Sequence, residues 1–367
     1  MAIAGGNIQL DSTEGMDKIT QTEKVTTPYF SDGSTTLLGA NVKSASNLTS
    51  TNETYFYGIA NSSTTTTEEF NVAFGSKNGY GANVETNTKS ETAAIYGQYA
   101  SLLLAPTEVT GGFHISSPGS TSKISSGPDD EIFIISARRG NMKDRINKGS
   151  WEIAFSGSNF AGTGGAPVLH LKDDSSTTDP TATPAGDRYN IVSCSTAGAI
   201  LRAATVTNYG FFYPDAGIIV LSQKELSGSI PGSNPSGSQV AVLEDLDHTG
   251  FHIAPTTNED KKNPLRLINC LQAPGTKLTF RDEEDQVSAQ YFCRIRSGQM
   301  NFSNNPTFVS GSLNELRHKT MKGNPTVFIT QVQLYNAAGH MVAVGNLSTP
   351  LKKNFSSEAT IKVKLTY

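Results

Sequence analysis

The residues with the clearest potential for chemistry form two short acidic runs, GPDDEI at 127–132 and RDEEDQ at 281–286. A glycoside hydrolase needs two carboxyl groups that face each other across a cleft, one of them with a pKa raised by burial. Adjacent acids in turns are usually hydrated and ionised instead. The sequence therefore favours solvated turns over a catalytic pair at Asp129, Asp130, Glu131, Asp282, Glu283, Glu284 and Asp285.

Motifs for metal or nucleotide binding are incomplete. In EDLDHTGFH, the spacing of Asp245, Asp247 and Gly250 resembles the opening of a calcium-binding loop. The bidentate carboxylate that closes such a loop is missing, because the twelfth position is Thr256. GTGGAP at 162–167 is rich in glycine but lacks the Lys-Ser/Thr pair of a phosphate-binding loop. We therefore predict no catalytic residue, no metal ligand and no cofactor.

A basic run, ARRGNMKDRINKG at 137–149, stands out from a chain whose net charge is −4. The overall charge argues against a whole-protein electrostatic grip on nucleic acid. Such runs are usually solvated loops between strands, and the alternative is a contact with an acidic partner surface. The candidate contact residues are Arg138, Arg139, Lys143 and Arg145, with Asp144 and Lys148 beside them.

An aromatic run, NYGFFYPDAG at 208–217, leads into a Pro-Asp turn. That much aromatic surface belongs either to a core or to an interface anchor, with the core slightly favoured. Trp151 alternates with Ile153 and Phe155, so we predict that it lies in the core. The interface candidates in the aromatic run are Tyr209, Phe211, Phe212 and Tyr213.

The composition predicts a β-rich fold to position these residues. Hydrophobic residues make up 36% and charged residues 17% of the chain, both below the globular norm. Ser, Thr, Asn and Gly fill the balance, and they disfavour helices, while Thr suits strands. We predict a mainly β protein with antiparallel sheets, long loops and a few short helices, a β-rich α+β fold. The predicted strands are EIFIISARR, SWEIAFSG, PVLHLKDD, RYNIVSCS and AGIIVLSQ.

Capping signals predict three short helices. In SETAAIYGQYASLLLAP, Ser90 caps the first helix, and Gly97 inside it is expected at a tight contact. NPLRLINCLQAPG begins a second helix at Pro264. GSLNELRHKTMKG has a capping-box spacing, Ser312 to Glu315, which predicts a third. The predicted apolar face of the first helix consists of Ile95, Tyr99, Leu102 and Leu103.

The C-terminal segment predicts a hairpin and a final strand. Two strand-like runs flank a turn at 336–339, and polar and apolar residues alternate from Thr360 to Tyr367. The alternation predicts that Ile361, Val363, Leu365 and Tyr367 are buried. We divide the chain into an extended N-terminal arm (1–55), a β-rich body (56–225), a linker and loop-rich insertion with a short helix (226–285), and a C-terminal β-hairpin and final strand that complete the sheet (286–367).

Three widely separated cysteines, Cys194, Cys270 and Cys293, show neither metal spacing nor an even disulfide set. They predict buried, reduced thiols in a protein that folds in a cytosol. The N-terminal segment lacks the basic and apolar regions of a secretory signal, and no stretch approaches 18 consecutive apolar residues. We therefore expect no membrane insertion.

Five segments between residues 93 and 367 carry a resemblance: AIYGQYASLLL, DRINKGSWEIAFSG, NYGFFYPDAGIIVLS, YFCRIRSGQMNFSNNPTFVSG and TVFITQVQLYNAAGHMVAVGNLSTPLKKNFSSEATIKVKLTY. They resemble a family of virion structural proteins from large contractile-tailed bacteriophages, marine and cyanobacterial ones among them. The last segment is the most specific. The resemblance is to a sequence pattern and not to any enzyme motif.

The resemblance implies a structural subunit of a contractile tail, in the baseplate, that acts by protein–protein assembly. Its partners would be other tail or baseplate proteins in homo- and hetero-oligomers, without a small-molecule substrate or nucleic acid. It would be assembled in the host cytoplasm and end in the virion. A neck or collar protein near the head–tail junction is the nearest alternative, slightly favoured by the basic run. A receptor-binding, fibre-associated protein is another.

Overall fold

The structure, a computed structural model, describes residues 8, 10–11, 16–45, 56–62, 67–79, 91–115, 128–156, 168–201, 208–226, 263–272 and 275–367. It confirms a mainly β fold with antiparallel sheets and few helices. The α-helices are α1 (Glu91–Leu103) and α2 (Asn263–Leu271), and short 3-10 helices form at Gly39–Asn41 and Lys319–Met321. The strands are β1 (Lys18–Pro28), β2 (Thr36–Leu38), β3 (Val42–Ala45), β4 (Phe56–Asn61), β5 (Glu68–Ser76), β6 (Glu131–Ala137), β7 (Arg145–Ile146), β8 (Glu152–Ser156), β9 (Val168–Asp173), β10 (Thr181–Thr183), β11 (Gly186–Cys194), β12 (Gly210–Tyr213), β13 (Ile218–Ser222), β14 (Lys277–Thr279), β15 (Arg281–Ile295), β16 (Val309–Ser310), β17 (Glu315–Leu316), β18 (Val327–Tyr335), β19 (Met341–Lys353) and β20 (Ala359–Thr366).

The chain forms two compact units. The central unit consists of Val25–Glu284, and the flanking unit combines Met1–Lys24 with Asp285–Tyr367. Strands β1 and β15 each begin in one unit and end in the other. The flanking unit therefore brings together two segments that are distant in the sequence.

The central unit is built on one long antiparallel sheet that nearly closes on itself. Its strand order is β2-β14-β8-β9-β11-β12-β13-β6-β5-β4-β3, with β10 paired to β11. The two end strands, β2 and β3, are separated in the chain by only the short turn Gly39–Asn41. The ends of the sheet must therefore lie close together, which gives a barrel-like arrangement.

Each of the eleven strands on this path contributes to a single inner core. Trp151, Phe212 and Phe280 lie in it, and Trp151 stacks on Phe280 with ring centroids 5.9 Å apart. Helix α2 packs Leu267 and Leu271 into the same core and contacts β3, β4, β5 and β8. The predicted core position of Trp151 is confirmed.

A second core lies on the other face of β6, β12 and β13. Successive residues of these strands alternate between the two cores: Phe133 faces the inner core, whereas Ile134 faces the outer one. Helix α1 covers the outer core with Tyr96, Ala100 and Leu103. Because both faces are buried, these strands are almost continuously apolar in sequence.

Two of the three predicted helices are confirmed, with corrections to the first. The buried face of α1 contains Thr92, Tyr96, Ala100 and Leu103, and Leu102 is exposed. The expected tight contact at Gly97 is wrong, because a Cβ there would meet nothing within 4 Å. Ser90 lies outside the described residues.

The predicted third helix is wrong, because the segment forms a short hairpin of β16 and β17. Val309 pairs with Leu316, and Ser310 pairs with Glu315. Gly311 (φ 76°) and Asn314 (φ 53°) adopt the left-handed conformation in the connecting turn. The spacing from Ser312 to Glu315 therefore belongs to a turn and not to a helix cap.

The flanking unit contains two larger sheets. Strands β1, β15 and β20 lie side by side, and β18 and β19 form a separate long hairpin. Ile295, Ala359 and Ile361 form the centre of a small core between them, against which Ile329 and Val332 of β18 pack. The predicted hairpin turn is confirmed, with Gly339 at φ 79°.

The final strand is confirmed and pairs with β15 over eight residues. Its side chains alternate as predicted, with Ile361 buried and Val363 and Leu365 half-buried. Tyr367 is the exception, because 73% of it is exposed. Its backbone still exchanges two hydrogen bonds with Val287.

Residues 1–55 were predicted to form an extended arm, but the described part of this segment is folded into the two units. Residues 18–45 contain β1, β2 and β3, and Tyr29, Phe30 and Leu37 are buried in the inner core. These three side chains are too few to stand out from the polar background of the sequence. The described parts of the predicted linker, α2 and β14, also belong to the central unit.

Candidate interaction surface

The structure buries most of the aromatic run. Phe212 points into the inner core, whereas Phe211 and Tyr213 lie in the outer core, and Tyr209 is half-buried. The Arg188 guanidinium lies over the Phe211 ring, 4.5 Å from its centroid. Phe211, Phe212 and Tyr213 are therefore core residues and cannot serve as interface anchors.

The basic run contacts an acidic run of its own unit. Lys143 forms an ion pair with Glu284 (2.6 Å), and Arg145 lies 3.8 Å from Glu283 and 3.7 Å from Asp215. The Lys143 backbone N–H also donates to Asp282 Oδ2 (2.8 Å). These contacts join β7 and its preceding loop to the start of β15.

The rest of the basic run has other surroundings. Lys148 donates to the Tyr189 hydroxyl (2.6 Å). Arg138 and Arg139 are exposed, and Arg138 reaches the Glu68 carbonyl at 3.5 Å. Much of the charge proposed for an acidic partner is thus already matched within the central unit.

Several predicted solvated acids are buried and hold loops in place. Asp129 accepts hydrogen bonds from the Ser222 hydroxyl (2.5 Å) and the Ile115 backbone N–H (3.0 Å). Asp282 and Glu283 are buried as well. Burial raises the pKa of Asp129 and of Asp282. These carboxylates accept hydrogen bonds from N–H and O–H groups of the same unit. Their role in the structure is therefore to tie loops to strand ends.

Glu131, at the start of β6, makes stability depend on pH. Burial, with the neighbouring Asp130 charge, raises its pKa from 4.5 to about 7. The folded state then binds this proton more tightly than the unfolded state, so the contribution of Glu131 to stability is greatest at low pH and is lost as pH rises through about 7. We expect Glu131→Gln to stabilise the central unit by about 1–3 kcal/mol at pH 8 and to have little effect at pH 4.

Urea unfolding followed by Trp151 fluorescence measures this effect, because the only tryptophan lies in the central unit. Glu108→Gln, at an exposed acid of the same unit, is the matched control. Equal shifts for the two variants at both pH values would contradict the assignment.

The structure also assembles a polar cluster that sequence reasoning missed. The Glu152 carboxylate on β8 lies 2.5 Å from His170 Nδ1 and 2.8 Å from Lys277 Nζ. Cys194 on β11 is the strand-register partner of His170 on β9. Burial and the nearby Glu152 raise the pKa of Cys194 to about 11. The thiol is therefore protonated near neutrality and is a poor nucleophile. Only strand register brings these residues together, so no local sequence signal marks them.

Other candidates for chemistry gain no support. Among the described residues, no three His, Cys, Asp or Glu side chains are grouped in a way that could hold a metal ion. The calcium-loop-like segment at 244–252 and the glycine-rich segment at 162–167 lie outside those residues. All three cysteines are free, as predicted, although Cys293 is only half-buried. In the part of the chain described, no helix has the length and apolar character needed to cross a bilayer.

Exposed apolar side chains are concentrated in the flanking unit. Of the fourteen large hydrophobic residues that are exposed in the described chain, eleven belong to this unit and three to the central unit. Among its described residues, the flanking unit buries seven hydrophobic ones. Large exposed apolar patches on a folded protein mark interaction sites. The eleven are Met16, Ile19, Phe302, Leu313, Phe328, Tyr335, Met341, Val342, Val344, Phe355 and Tyr367.

Five of these eleven lie on the β18–β19 hairpin. Its inward side packs on the small core, and its outward side, here called the hairpin face, consists of Phe328, Gln331, Gln333, Tyr335, Val344 and Asn346, with Lys352 opposite Phe328 at one end. Phe328 is 59% exposed. No Asp, Glu, Lys or Arg occurs in residues 323–351.

The polar groups of the hairpin face bond to one another. The Tyr335 hydroxyl donates to Gln333 Oε1 (2.5 Å), Gln333 Nε2 donates to Gln331 Oε1 (2.8 Å), and Gln331 Nε2 donates to Asn346 Oδ1 (3.0 Å). Polar groups that are already paired cost less free energy to remove from water. A largely apolar and internally bonded face, with its one charge at the Lys352 end, is suited to being covered by protein.

Comparisons with protein-family models, with curated proteins and with solved structures found no match to this chain. Support for a function therefore comes from the hairpin face and from the sequence resemblance.

Proposed function

We propose that the chain is a structural subunit of a contractile phage tail, located in the baseplate, and that it acts by protein–protein assembly. The observation that carries the assembly role is the surplus of exposed apolar side chains on the flanking unit. The assignment to a tail, and to the baseplate within it, depends on the five segments that resemble contractile-tail virion proteins.

The energetics support the assembly role. Burying an aliphatic or aromatic side chain contributes roughly 1.5–3 kcal/mol. The flanking unit leaves Phe302, Phe328 and Phe355 exposed, whereas only three of the large hydrophobic residues described in the central unit are exposed. A subunit that completes its burial against neighbours would show this division.

The neck or collar alternative keeps only part of its sequence support, because Arg138 and Arg139 of the basic run are exposed. The basic run was its support, and Lys143 and Arg145 of that run are paired with acids of the central unit. No described feature favours a fibre-associated receptor-binding role over assembly.

Gold-labelled antibody against the recombinant chain tests the proposal on intact phage particles by electron microscopy. We expect labelling at the distal end of the tail. Labelling at the head–tail junction would place the protein in the neck and contradict the baseplate assignment. Absence of label from intact and from detergent-opened particles, with the antibody active on the pure chain, would overturn the virion role.

A further inference from the structure

We draw no further inference here: the strongest candidate, the apolar hairpin face of β18 and β19 in the flanking unit, carries none because nothing in the described part of the chain shows what covers it.

Discussion

Deletion of residues 360–367 is expected to unfold the flanking unit while the central unit stays folded. The deletion removes all but the first residue of β20, which supplies eight paired positions along β15. It also removes Ile361, Val363 and Leu365, and burial contributes roughly 1.5–3 kcal/mol for each side chain that is fully buried. The small core around Ile295 cannot offset such a loss, because native domains are stable by only about 5–15 kcal/mol.

Thiol labelling separates the two units in one experiment. Cys293 on β15 lies opposite Ile361, whereas Cys194 and Cys270 are buried in the central unit. In the truncated chain, Cys293 is expected to react with a maleimide at least about tenfold faster, with the other two thiols still protected. Tyr367→Ser, at the exposed last side chain, is the control. Unchanged protection of Cys293 would show that β20 is dispensable.

Replacement of Lys353 by methionine is expected to destabilise the flanking unit by about 2–4 kcal/mol. The side chain is fully buried, and Nζ donates to Ser297 O (2.9 Å), Asn301 Oδ1 (2.8 Å) and Asn354 O (2.9 Å). Methionine fits a similar volume but leaves one buried and two partly buried oxygens without this donor. Relief of the cost of burying an ammonium group offsets only part of that loss.

Lys352→Met is the matched control, because Lys352 is the preceding residue on β19 and its side chain is exposed. It should change stability by less than about 0.5 kcal/mol. The urea dependence of Cys293 labelling reports the flanking unit alone. Equal effects of the two substitutions would mean that the three hydrogen bonds of Lys353 contribute nothing to stability.

The elements that the sequence predicted well depend on local patterns. Alternation marks β20, the 336–339 turn marks the β18–β19 hairpin, and Pro264 marks the start of α2. Each of these signals lies within a few neighbouring residues, where backbone preference and burial agree. The prediction of a third helix was wrong because it also depended on a local pattern, and the spacing from Ser312 to Glu315 fits a tight turn as well as a helix cap.

The candidate site was much less predictable. The pairing of Lys143 with Glu284, and the approach of His170 to Glu152, depend on strand order and register, which no local pattern encodes. The aromatic run contains both core-facing and outer-facing residues because β12 is buried on both sides. The hairpin face could be predicted in part, because a long uncharged stretch with strand periodicity is visible in the sequence.

The division of the chain has a consequence for its synthesis on the ribosome. The central unit is encoded by one continuous stretch, so it can fold while translation is still in progress. The flanking unit needs residues on both sides of that stretch, so it cannot form before β15 and β20 have both been synthesised. A nascent chain that stalls before residue 359 therefore lacks the β20 partner of β15 and leaves the flanking unit incomplete.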